Sequence, residues 1–268
     1  MSTPKWTADR IKALKGTCRF ACLTAYDFTT ARWIDDAGLP LILVGDSLAS
    51  SMLGYSTTLP VTMDQMLHHV AAVARGVASA LVVADMPFMS YQVSTEQALT
   101  NAGRFIKEAG ADAVKLEGGA FRADTVRALV QNGIPVLGHI GLTPQSLRQM
   151  GGYKVQGRKH EDAEQLVSDA QALQAAGVFA IVVECVPGEL GHTLTEAVSV
   201  PTIGIGAGAG CDGQVLVTHD LLGLTASRVP SFVKRYAELG EQMKQAFLAY
   251  KADVEAGSFP AAEHTYKA

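Results

Sequence analysis

Eight short apolar runs recur along the chain: "RFACLTAYD", "PLILVGDS", "ALVVADMPF", "ADAVKLEGG", "IPVLGHIG", "FAIVVECVP", "VPTIGIGAG" and "QVLVTHD". Most are continuous stretches of Val, Ile, Leu and Ala without alternation, the pattern of strands covered on both faces, as in a parallel sheet. Between most of them lie segments with helical spacing: "TTARWIDDAG", "TMDQMLHHVAAVARG", "STEQALTNAGRFIKEAG", "ADTVRALVQNG" and "HEDAEQLVSDAQALQAAG". Each ends at a glycine, Gly38, Gly76, Gly110, Gly133 and Gly177, placed to take the left-handed conformation that closes a helix. Repeated eight times, the unit strand, loop, helix, glycine closes into a (β/α)8 TIM barrel, expected here as a single α/β domain over residues 1–268. The alternative is an open doubly wound sheet, whose edge strands should be shorter or more charged, and none of the eight clearly is. The connection "AGCDGQ" before the eighth run is too short for a full helix, so an irregular closing seam is expected.

Two segments fall outside the repeat. "WTADRIKALKG" reads as an N-terminal helix capped by Thr7 that plugs the closed end of the barrel. "SFVKRYAELGEQMKQAFLAYKADVEAG" reads as a C-terminal helical extension, with Val233, Tyr236, Met243, Ala246 and Phe247 toward one face. That face packs either on its own barrel or on another subunit.

Charge narrows the partners. A net charge of -4, with Lys and Arg scattered singly, offers no basic face for a phosphate backbone, so no nucleic-acid partner is expected and a small molecule is favoured. Cys18, Cys22, Cys185 and Cys211 form no CxxC pair and lie in or beside apolar runs, as free thiols in a reducing compartment do. The start "MSTPKWTADRIKALKG" lacks an apolar leader core and no run is long enough to cross a bilayer, so a cytoplasmic protein with no membrane partner is expected.

In such barrels the reacting groups sit where strands end, because the strand holds them rigidly while its C-terminal mouth stays open. The strand ends here carry Asp27, Asp46 with Ser47, Asp85, Lys115 with Glu117, His139, Glu184, a glycine run, and His219 with Asp220. Asp27 and Asp220 read as caps or solvated turn residues. The five from Asp46 to Glu184 read together as a site. Several carboxylates at one mouth with few cations call for a positive ion, since like charges a few ångströms apart do not all stay ionised. Asp46, Asp85 and Glu117 are therefore the expected metal site, and all-oxygen ligation by few protein groups favours Mg²⁺. Such a metal can chelate a 2-oxo acid and acidify the adjacent C–H. Glu184, flanked by apolar residues that raise its pKa, is the expected base. Lys115 meets negative charge, Ser47 hydrogen-bonds the substrate carboxylate, and His139 orients a carboxylate, relays a proton or is a hydrogen-bonded core histidine.

The adjacent His68 and His69 project at different angles from a helix and read as structural. "GIGAGAG" lacks the GxGxxG spacing and suits close backbone approach by a flat ring or a tight turn as well as a phosphate. "LTPQSLRQMGGYKVQGR" reads as a mobile cover over the mouth, or as a surface loop.

The motifs "LVGDSL", "TLPVT", "ADMPF", "VKLEGG", "GHIGLTPQS", "GGYKVQGR", "ECVP" and "IGIGAG" resemble those of the ketopantoate hydroxymethyltransferases, over nearly the whole chain. The resemblance implies a (β/α)8 enzyme of pantothenate biosynthesis that moves a one-carbon unit from 5,10-methylenetetrahydrofolate onto 2-oxoisovalerate, giving 2-dehydropantoate. It implies Asp46 and Asp85 as direct Mg²⁺ ligands with Glu117 in the metal's sphere through water. Asp46, Ser47, Asp85 and Lys115 would surround the oxo acid, with Glu184 as proton acceptor. It also implies self-association as a ring-based homodecamer. Two other classes compete: a magnesium-dependent lyase or mutase of the phosphoenolpyruvate type, and a barrel that binds an oxo acid without turnover.

Overall fold

A computed structural model describes residues 4–226 and 229–267; the first three residues of the leader reading lie outside them. The chain forms two compact units, Met1–Val217 and Thr218–Ala268.

In the first unit the strands are β1 (Phe20–Thr24), β2 (Leu41–Val44), β3 (Leu81–Asp85), β4 (Ala113–Glu117), β5 (Val136–Gly141), β6 (Ala180–Glu184), β7 (Thr202–Ile205) and β8 (Gly213–Leu216). They pair in chain order, all parallel, and β8 returns to β1 to close the expected barrel. Helix α1 (Ala8–Lys12) precedes β1, and α2 (Phe28–Asp36), α3 (Leu48–Ser51), α4 (Met63–Gly76), α5 (Thr95–Lys107), α6 (Ala123–Gln131), α7 (Leu147–Met150), α8 (His160–Ala176) and α9 (Gly188–Ala197) occupy the connections. The seam lacks a helix between β7 and β8, as the short connection requires, yet its ladder is regular: Ile203 pairs with Gly213 and Gly204 with Gln214.

Two cores follow from the period-2 alternation of a strand. Ile42, Val44, Val82, Ala84, Val114, Leu116, Ile181 and Val183 point outward and pack against the helices. Leu41, Leu43, Leu81, Val83, Ala113, Leu137, Ala180, Val182, Ile203 and Val215 point inward and fill the barrel. Ile11 of α1 is fully buried in that inner cluster, so the N-terminal helix does plug the barrel. Thr7 caps it as expected, its hydroxyl accepting from the Arg10 N–H. Just beyond α1, Lys15 Nζ donates to the Thr195 carbonyl at 2.6 Å and pairs with Asp212 Oδ2 at 2.9 Å, fastening the plug.

Gly38, Gly110, Gly133 and Gly177 all take positive φ after helices, as expected. Gly76 differs: it is the last residue of α4, with Val77 at the C-cap, and a Cβ there would stand 2.5 Å from the Phe28 carbonyl oxygen. Its glycine serves the close approach of α4 to α2. Cys22 and Cys211 are buried free thiols, whereas Cys18 is exposed because it lies in the turn before β1.

One buried carboxylate holds α2 to the entrance of β3. Asp35 accepts from the backbone N–H groups of Ala78 at 2.8 Å, Ser79 at 3.1 Å and Ala80 at 2.6 Å, and from the Ser79 hydroxyl at 2.8 Å. Burial works against its charge, but the Ala78, Ala80 and Ser79 donors outweigh it and hold the carboxyl below its ordinary value. Asp35→Ala leaves these donors without their acceptor and is expected to cost about 2–4 kcal/mol in a urea melt at pH 7. Because the folded-state pKa is depressed, that stabilisation is present above the unfolded value near 3.8 and is lost as pH falls through the folded one. A loss under about 1 kcal/mol would show that the clamp contributes little.

In the second unit, α10 (Thr218–Leu221) is followed by α11 (Leu239–Ala256). The helix begins later than its amphipathic pattern suggests. The Tyr236, Leu239 and Gly240 N–H groups donate to the Leu221, Leu222 and Gly223 carbonyls, drawing this stretch into a non-local pairing that leaves Val233 and Tyr236 outside α11. No residue of α11 is buried. Among the described residues, no helix is long and apolar enough to cross a membrane.

Candidate active site

The inward register that fills the barrel with aliphatic residues changes chemistry at the C-terminal ends of the strands. Leu81 and Val83 are followed by Asp85, Ala113 by Lys115 and Glu117, Leu137 by His139, and Ala180 and Val182 by Glu184. Register sets the neighbours: Asp85 lies beside Lys115, Glu117 beside His139, and Gly141 beside Glu184. Gly141, at φ 90°, has a reason to be glycine, since a Cβ there would stand 2.2 Å from the Glu184 carbonyl oxygen.

The resulting network is buried. Lys115 Nζ pairs with Asp85 Oδ1 at 2.9 Å and lies 3.1 Å from His139 Nδ1. An ammonium only donates, so Nδ1 is the acceptor and the ring proton resides on Nε2. Burial, reinforced by Lys115, holds His139 well below its ordinary pKa, so the ring is neutral. Its Nε2 stands 3.1 Å from Glu184 Oε2. Burial pushes Glu184 up to about 7 against the pull of Lys115. Lys115 stays charged: burial lowers its pKa, but Asp85, Glu117 and Asp46 raise it further.

Asp46 and Ser47 reach the site by a turn after β2. The Asp46 N–H donates to Asp85 Oδ2 at 3.1 Å, and Ser47 Oγ is 2.8 Å from the Tyr26 hydroxyl. Gly45 makes the turn possible, since a Cβ on it would meet Ser47 Oγ at 2.8 Å. Burial pushes Asp85 up to about 7 although Lys115 opposes it, and burial also raises Glu117 well above its ordinary value.

Asp46, Asp85 and Glu117 thus share one mouth with a single ammonium. Among the described residues, no three His, Cys, Asp or Glu form a ready-made metal cage. Asp46 and Asp85 are adjacent, while Glu117 is held by the Gln145 N–H at its Oε2, 3.0 Å away, and its Oε1 is buried without a hydrogen-bond partner. Excess buried negative charge, two neighbouring carboxylates and an unsatisfied third oxygen fit a hydrated hard divalent cation, which needs only one or two protein carboxylates.

Other strand-end residues are used elsewhere. Asp27 caps α2, accepting from the Thr30 N–H at 2.9 Å. His219 and Asp220 lie in α10, because β8 stops at Leu216. His69 Nδ1 is 2.7 Å from the Tyr26 carbonyl, the structural role expected of it. The glycine run is consumed by packing on α9: Gly208 meets Gly188 backbone to backbone, and a Cβ on Gly210 would stand 2.8 Å from that of His192.

The loop after β5 is partly structured. Its first half is folded, as a 3-10 turn at Pro144–Ser146 and then α7, with Gln145 and Leu147 buried. Pro at the turn's start favours this conformation, and Gln145 is held by hydrogen bonds from several sides. Gln145 and its partner Tyr91 belong to the site and were not among the residues expected there. The only sequence signal for Gln145 was an amide directly after a strand-end loop proline.

A family model described as ketopantoate hydroxymethyltransferase matches residues 5–262. The 3-methyl-2-oxobutanoate hydroxymethyltransferase of Clostridium novyi (strain NT) is 56% identical over 256 residues, covering 96% of this chain and 93% of that protein. The protein of the same name from Syntrophobacter fumaroxidans (strain DSM 10017 / MPOB) is 56% identical, covering 97% and 92%. Among solved structures, phosphoenolpyruvate phosphomutase from Streptomyces platensis subsp. rosaceus superposes with a TM-score of 0.62 at 15% identity, covering 97% of this chain and 92% of that one. A 2,3-dimethylmalate lyase gives 0.60 at 16% identity, covering 99% and 93%. At such identities the structural likeness bears on the fold alone.

Proposed function

The chain belongs to the ketopantoate hydroxymethyltransferase family and is a transferase; from that premise we propose that it joins a one-carbon unit from 5,10-methylenetetrahydrofolate to C3 of 3-methyl-2-oxobutanoate, giving 2-dehydropantoate for pantothenate synthesis. The observation that carries the reading is Glu184: a carboxylate only 16% exposed, with its pKa raised to about 7, facing inward beside the neutral ring of His139 at 3.1 Å. A base poised near working pH combines a usable ionised fraction with enough strength to take a proton from carbon.

Asp46 and Asp85 would hold Mg²⁺, with Glu117 contributing through water. Mg²⁺ bound there supplies a Lewis acid that draws charge from the keto oxygen of a 2-oxo acid and so acidifies its C3–H. The Ser47 hydroxyl donates to the substrate carboxylate, and Lys115 offsets negative charge that develops at the mouth. Glu184 removes the C3 proton, with the Nε2–H of His139 keeping its carboxylate aimed. The electron pair left at C3 forms the bond to the one-carbon unit, both C–N bonds of that carbon break, and water supplies the hydroxyl group; the two folate nitrogens take up the proton removed from C3 and the second proton of the water. Self-association as a homodecamer belongs to the same reading, supported by α11, which has no buried residue and exposes Met243, Phe247, Leu248, Tyr250 and Val254.

Proton NMR of 3-methyl-2-oxobutanoate with the protein, Mg²⁺ and 5,10-methylenetetrahydrofolate tests the proposal. Loss of the C3 methine signal with growth of a hydroxymethyl signal supports it. Methine exchange in deuterated water without hydroxymethyl growth would keep the base and discard the donor. An unchanged spectrum would discard both.

A further inference from the structure

We propose that Gln145 is a positioning residue that sets the metal-binding carboxylates of this mouth, an inference that rests on the Mg²⁺ reading above. Gln145 is 5% exposed, and its amide is fully engaged. Nε2 donates to Asp46 Oδ2 at 3.0 Å and to the Met86 carbonyl at 2.9 Å. Oε1 accepts from the Tyr91 hydroxyl at 2.7 Å and from Gln92 Nε2 at 3.0 Å. Its backbone N–H is the donor that holds Glu117 Oε2 at 3.0 Å.

The direction of the amide is fixed by chemistry. Reversing it would set its oxygen against the Met86 carbonyl and the Asp46 carboxylate, neither of which has a proton to give when the latter is ionised. Tyr91 reinforces this: its hydroxyl donates to Gln145 Oε1 and accepts from the Glu117 N–H at 3.1 Å. One residue of the loop after β5 therefore ties together the turn after β2, the segment after β3 and the end of β4. A buried amide with both donors and its acceptor engaged has one arrangement, which is what a cation site with few protein ligands requires. Donors on Asp46 Oδ2 and Glu117 Oε2 choose which oxygen of each carboxylate is already spoken for, and Glu117 Oε1 is left without a hydrogen-bond partner.

The test is Mn²⁺ binding by electron paramagnetic resonance, with Mg²⁺ competition, on the full chain and on Gln145→Met, which keeps length and the backbone N–H to Glu117 but removes the side-chain hydrogen bonds to Asp46, Met86, Tyr91 and Gln92. Expected is a Kd about 10–100-fold weaker, with kcat still reduced at saturating metal. Tyr91→Phe, which loosens the amide without touching its donors, should shift Kd the same way by less. The double variant should bind more tightly than the sum of the two losses predicts, because the Tyr91 hydroxyl acts on the Gln145 amide as well as on the Glu117 N–H. Should Gln145→Met fail to fold, Tyr91→Phe carries the test. Variants with a lowered melting temperature but parental Mn²⁺ affinity and kcat would reduce Gln145 to packing and overturn the proposal. A parental protein that binds no Mn²⁺ overturns the metal reading and this proposal together; a parental protein that binds it, with variants binding equally well, overturns this proposal alone.

Discussion

Glu184→Gln is expected to lower kcat by about 10²–10⁴-fold, the usual contribution of a positioned general base, while the KM for the oxo acid changes little. The substitution preserves shape and leaves an amide oxygen that can stand beside His139 Nε2 as Glu184 Oε2 does, so the loss reports proton removal and not collapse of the network. Exchange of the C3 proton into deuterated water, followed without a folate, should slow in parallel. The parental enzyme should lose activity as pH falls through about 7, because Glu184 then takes up the proton that it must lack to act. That acidic limb should vanish in the variant. Parental exchange in Glu184→Gln would move the base elsewhere.

Lys115→Met is expected to destabilise the protein by about 3–5 kcal/mol at pH 8, the cost of removing one partner from a buried ion pair. Lys115 stands 2.9 Å from Asp85 and is the cation that offsets Asp85, Glu117 and Asp46, all of them buried. The pH dependence has a definite sign. Asp85 and Glu117 have folded-state pKa values raised by burial, so the folded chain binds protons that the unfolded chain releases above about pH 4. Their contribution therefore weakens as pH rises from the unfolded values through about 7 for Asp85. Without Lys115 to oppose the shift, the decline should steepen and reach higher pH. Urea unfolding at pH 5.5 and pH 8 measures it, and a pH-independent loss would contradict the account. Activity should also collapse, since His139 Nδ1 loses the donor that fixes its tautomer and with it the aim of Glu184.

Much of the site is legible in the sequence. Asp85, Lys115, Glu117, His139 and Glu184 could be expected together because each ends an apolar run, and the barrel brings strand ends to one mouth. Ser47 and Asp46 followed by the same reasoning, although their turn depends on Gly45. Gln145 and Tyr91 were not legible, since an amide and a phenol in loops carry no periodic signal. The loop that holds Gln145 looked mobile because glycines and charges dominate its second half. His219 and Asp220 looked like a strand end because the apolar run of β8 continues past its last paired residue.

The sequence by itself determined the barrel and the chemical character of its mouth. Both are written in local pattern: continuous apolar runs, glycines after helices, and titratable residues two positions beyond inward aliphatic ones. Only the tertiary structure decided how those groups are wired. Gln145 meets Asp46 across 99 positions of chain, and Lys115 meets His139 across 24. Such contacts depend on barrel closure and strand register, which set distances and donor directions that no local period encodes. The protonation states follow from the same cause: the pKa of Glu184 is raised because the closed barrel shields most of it from water, a property of its surroundings in space and not of its neighbours in the chain.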